Sequence, residues 1–104
     1  TPNLLLYNGA LGPQNNQATL AELNLVRALF NGANSTLQVN AGSVSTGDAG
    51  SQAPGGITLA AYSVFNANFA NVIIREVIVR TNADDAPTQA AIYAYLLRKY
   101  GAYL

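Results

Sequence analysis

Val72-Ile73-Ile74-Arg75-Glu76-Val77-Ile78-Val79, followed by Asn82-Ala83-Asp84-Asp85-Ala86-Pro87-Thr88, is the stretch whose reading decides the fold. The first part is β-branched on both sides of one Arg-Glu pair, which favours a strand over a helix. The second part is a helix start. Asn82, Asp84 or Asp85 supplies a cap, Pro87 suits the first turn, and acidic residues there suit the helix dipole. That helix is predicted to run through Ala90-Ala91-Ile92-Tyr93-Ala94-Tyr95-Leu96-Leu97 to Arg98-Lys99-Tyr100. Its two cations lie in the last turn, and Gly101 follows at C′. A β-rich stretch leading into one capped helix reads as α+β rather than as an alternating α/β fold.

Working towards the N-terminus, Ile57–Phe65 reads as a strand apolar on both faces. A turn at Asn66-Ala67-Asn68 leads to a second strand from about Phe69 to Arg80. A helix through Phe65, Phe69 and Val72 is the alternative for this region. Residues 41–56 contain five Gly and one Pro and read as a long flexible Gly/Ser loop, with a short strand at Val44 as an option. Thr36-Leu37-Gln38-Val39-Asn40 alternates polar and apolar residues and reads as a half-buried strand. Residues 16–31 read as a further helix capped by Asn15, Asn16 or Thr19, because Leu20, Leu23, Val26 and Phe30 share a helical face. Leu25 and Leu29 would add a second apolar strip to it. Residues 1–13 read as an extended arm carrying Leu4-Leu5-Leu6-Tyr7, with turns at Asn8-Gly9 and Gly12-Pro13. Such an arm pairs either with the chain's own sheet or with the sheet edge of a neighbour. Thr1 follows either a removed Met or a cleaved leader.

The fold predicted for residues 1–104 is therefore one α+β domain: two helices on a small, mostly antiparallel sheet, with an extended N-terminal arm and a long Gly/Ser-rich loop.

Composition constrains function more than any motif does. Of 104 residues, five are Lys or Arg, five are Asp or Glu, and none is His, Cys, Met or Trp. Charged residues make up 10% of the chain, where soluble domains carry roughly 25%. Without His or Cys there is no usual ligand set for zinc, haem, iron–sulfur or copper, no thiol nucleophile, and no base for a Ser/His dyad. The Gly-rich loop lacks a Gly-Lys-Ser/Thr ending, and Asp48 has no partners at calcium-loop offsets. Asp84-Asp85 is the one adjacent carboxylate pair, and capping accounts for it. No cofactor, no metal and no enzymatic activity are expected. The balanced charge lacks a basic cluster, so no nucleic-acid partner is expected. No apolar run reaches 18 residues, so no membrane span is expected.

In place of charge the chain has 12 Asn, 5 Gln and 18 Ala. A chain with average hydrophobicity and zero net charge folds, yet such a surface promotes association. Charged residues are also depleted from interface cores. The expectation is a structural subunit that assembles with copies of itself or with other shell or fibre proteins in a virion or an extracellular assembly. A phage-type head, tail or decoration protein comes first. A filament or pilus subunit using its arm to complement a neighbour comes second, and a small monomeric adaptor or ligand-binding module third. A helix leading into short Thr/Ser/Gly-rich strands, with almost no charge, is similar in style to many phage structural proteins. The interface candidates are Leu4, Leu5, Leu6 and Tyr7 on the arm, Leu25 and Leu29 on the first helix, and Tyr93, Tyr95, Tyr100 and Tyr103 at the Tyr-rich end.

Overall fold

In the computed structural model, residues 3–52, 59 and 72–101 are described. Among the described residues the fold is a small α+β arrangement of two antiparallel sheets and one α-helix. Residues 4–15 form a hairpin: β1 (Leu4–Tyr7) pairs antiparallel with β2 (Leu11–Asn15), with Leu4 opposite Asn15 and an irregularity between Leu5 and Tyr7. The turn uses Asn8-Gly9-Ala10, and Gly9 takes φ +101°, which suits glycine. Most of the segment expected to be an extended arm, residues 1–13, is therefore taken up in an intrachain hairpin, and Leu6 is buried.

The second sheet has β4 (Ser35–Val39) between β3 (Val26–Leu29) and β5 (Ser45–Gly47), both pairings antiparallel. A 3-10 turn at Gly32–Asn34 joins β3 to β4. The alternation read at 36–40 appears as the burial pattern of β4, where Ser35, Leu37 and Val39 are buried and Thr36 and Gln38 are half-buried. Leu37 and Val39 are each 1% exposed, and Leu6, Leu37 and Ala49 pack together with Leu4 against them. The hairpin approaches this core closely. A Cβ on Gly12 would stand 2.6 Å from the Ala49 Cβ, and one on Gly47 would stand 3.2 Å from the Pro13 nitrogen.

The helix expected over 16–31 is absent; this stretch is a loop running into β3. Two causes are visible. Ala21 takes φ +63°, a left-handed conformation that interrupts any right-handed helix. Asparagine side chains also take over backbone groups a helix needs. Asn24 Oδ1 accepts from Thr19 N at 3.0 Å, Asn24 Nδ2 donates to Thr19 O at 2.9 Å, and Asn40 Oδ1 accepts from Leu25 N at 2.9 Å. From Val26 onward, pairing with β4 replaces helical bonding, and Leu25 and Leu29 flank or belong to a strand rather than a helix.

The loop expected at 41–56 is more ordered than its composition suggests over residues 41–52; residues 53–56 lie outside the described residues. It contains β5 and then a tight connection in which the Ala49 carbonyl accepts from Asn8 N at 2.6 Å and from Ala10 N at 3.1 Å. Gly50 takes φ +90°, and a Cβ there would strike the Asn8 carbonyl. Asp48 Oδ1 accepts from Gly50 N at 2.8 Å, closing a local turn.

The strand expected at 57–65, its following turn and residues 69–71 lie outside the described residues, Leu59 apart. Residues 72–80, expected to be strand, carry neither strand nor helix. The C-terminal helix, α1 (Ala86–Tyr100), forms as read. Asp85 is the cap, its Oδ1 accepting from Thr88 N at 2.9 Å, with Pro87 in the first turn and Arg98 and Lys99 in the last. Gly101 differs from expectation: its φ of −59° and ψ of −27° are right-handed, so the helix ends without a left-handed glycine cap. None of the α1 residues is buried, and the expected packing of two helices on a sheet is not seen among the described residues.

Candidate functional site

Val72, Ile73, Ile74, Val77, Ile78 and Val79 are all exposed, Ile73 most of all at 81%. Single exposed apolar residues are normal on a protein surface, whereas six within eight positions are uncommon. Two charges interrupt the run. Arg75 is exposed, and Glu76 is half-buried and held by α1. Lys99 Nζ donates to Glu76 Oε1 at 2.8 Å, and the Tyr100 hydroxyl donates to the same oxygen at 2.7 Å. Lys99 Nζ also donates to Tyr95 Oη at 3.1 Å. Residues 95 and 99 are one turn apart, so a single helix face carries the cluster.

The electrostatics follow from this geometry. The Lys99 ammonium, and after it the Tyr100 hydroxyl, hold the Glu76 carboxyl below its usual value. The same carboxylate raises Lys99 and Tyr100 above theirs. Lys99 is thus firmly protonated and acts as a tether rather than a nucleophile.

A second uncovered apolar surface lies on β3. Antiparallel register sets Val26 opposite Val39 and Ala28 opposite Leu37, so each pair shares one side of the sheet. That side is the core side, yet Val26 is 52% exposed while its partner is buried. Phe30, just beyond β3, is equally exposed. The core face therefore runs out uncovered towards β3.

The interface residues expected from sequence separate into three groups. Leu6 belongs to the chain's own core and is not available as a surface, and Leu4 packs against that core. Leu5 is exposed, while Tyr7, Leu25 and Leu29 are half-buried around the two sheets. Tyr95 and Tyr100 are brought together at the Glu76 cluster, and Tyr93 is half-buried on the same helix. Tyr103 lies outside the described residues. Sequence reasoning missed the tie from Glu76 to Lys99 and Tyr100, since no local pattern connects residues more than twenty positions apart.

The carboxylates do not converge. Asp85 caps α1, Asp84 pairs with Arg80 at 3.1 Å, Asp48 closes a turn, and Glu76 is tethered. Among the described residues no group of three His, Cys, Asp or Glu side chains is placed to hold a metal. Among the same residues no helix is long and apolar enough to cross a membrane. No protein-family model matches this chain, and no curated protein or solved structure matches it.

Proposed function

We propose that the chain is a non-enzymatic structural subunit that assembles with copies of itself or with other shell or fibre proteins. A virion component of head, tail or decoration type is the favoured form. The observation that carries this reading is the exposure of Val72, Ile73, Ile74, Val77, Ile78 and Val79, because water is a poor final environment for six Val and Ile side chains within eight positions. Helix α1 adds support. It has 15 residues and no buried side chain, and isolated helices of about 12–15 residues are marginal in water. A neighbour that covers α1 and 72–79 together would stabilise both. The scarcity of charge fits the same role, since interface cores are depleted of charged residues.

The filament reading, in which the N-terminal arm is donated to a neighbour, is less favoured. Residues 4–7 already pair with 11–15, and removing them would take Leu6 out of the core. The proposed assembly needs no cofactor, nucleic acid or membrane span, and its place is a virion or an extracellular assembly. Electron microscopy of the purified chain tests the reading. Regular shells, tail-like pieces or particles decorating a shell are expected, and a field of isolated monomers at high concentration would contradict it.

A further inference from the structure

Among the described residues, a depression of about 500 Å³ at the end of β2 is lined by amide and hydroxyl side chains. Asn15 forms its floor. That residue is 4% exposed, and its Nδ2 donates towards Ser43 O at 3.2 Å, Ser45 Oγ at 3.3 Å and Leu37 O at 3.4 Å. Its Oδ1 accepts from Gln17 N at 2.9 Å. These bonds fix the β2 terminus against the β4–β5 connection, so the depression is shaped before any ligand arrives. At the rim, Asn3 Nδ2 donates to Gln14 Oε1 at 2.7 Å, while Asn16 and Gln17 are exposed and bring one further amide each.

Each amide sets an N–H donor beside a carbonyl acceptor, and each hydroxyl both donates and accepts. Adjacent hydroxyls on a sugar ring offer the same alternation. Among the described residues the lining contains no ammonium or guanidinium to pair with the charge of a phosphate or an acidic sugar, and no carboxylate to balance a metal ion, so a neutral ligand suits it best. From these features the geometry points to a binding site for neutral carbohydrate, its ring hydroxyls held by the amides of Asn16, Gln17 and the Asn3–Gln14 pair. Among the described residues the lining has no aromatic ring for a sugar face to stack on, so affinity at one site is weak. Repetition across an assembly, which rests on the reading above, raises avidity by about 10²–10⁴-fold without new contacts.

Saturation-transfer NMR on the soluble chain, with methyl glucoside and N-acetylglucosamine as neutral probes and sialic acid as the acidic one, tests the site whether or not the chain assembles. Transfer to a neutral probe is expected, with little to sialic acid. The Asn16→Ala/Gln17→Ala variant should lose most of that signal while keeping its far-UV circular dichroism. Asn16→Ala alone, a change at one exposed side chain, should reduce it. The proposal is overturned by absence of transfer to both neutral sugars, by preference for the acidic one, or by undiminished transfer to the folded variants.

Discussion

Asn15 shows how much of this fold depends on amide side chains rather than apolar ones. Removing its side chain would take away the two N–H donors shared among Leu37 O, Ser43 O and Ser45 Oγ, and an unsatisfied buried group costs about 1–3 kcal/mol. Asn15→Ala should lower stability by that amount in urea unfolding, and an unchanged midpoint would contradict its role. Gly50 is a second such position. Its φ of +90° is one that side-chain-bearing residues rarely adopt, and a Cβ would strike the Asn8 carbonyl. Gly50→Ala should therefore destabilise by more than about 1–2 kcal/mol from the backbone alone. Thermal unfolding followed by circular dichroism would show this as a clear drop in midpoint. Neither role was legible in the sequence, where Asn15 reads as a helix cap and Gly50 as one glycine among many in a loop.

At the scale of elements, legibility tracks how local the cause is. The C-terminal helix was readable because Asp85, Pro87, Arg98 and Lys99 act within one turn of the helix ends. The pattern at 36–40 was readable because one buried face imposes a period of two. Residues 16–31 misled because Leu20, Leu23, Val26 and Phe30 fit a helical face, while the deciding contacts come from Asn40 and from pairing with β4. Long-range hydrogen bonding overrode local periodicity. The link between α1 and residue 76 gives a pH prediction of defined sign. Folding lowers the Glu76 pKa, so its stabilisation is full above the usual 4.5 and is lost as pH falls through the lower folded value. Lys99 and Tyr100 are raised, so their share is full below their usual values and is lost as pH rises through the raised ones. Glu76→Gln should flatten the acid-side loss of helix signal; an unchanged acid profile would mean the tie contributes nothing to holding α1.

The whole molecule is uneven in how it covers its apolar residues. Leu6, Leu37, Val39 and Ala49 form a small, closed centre, while Val26, Phe30 and the run 72–79 stay open. The composition is consistent with this condition, since a chain with 10% charged residues has few charged side chains with which to cover apolar ones. It did not point to the location, because exposure at 72–79 is set by tertiary placement rather than by local pattern. The central claim, that 72–79 is the assembly surface, is tested most directly by sedimentation velocity on the chain and on Ile73→Asn/Val77→Asn. Both substituted side chains are exposed, so the fold should persist with native circular dichroism. Large, concentration-dependent species are expected for the unsubstituted chain and a monomer for the double variant. A monomer in both cases, or undiminished assembly of the folded variant, would contradict it.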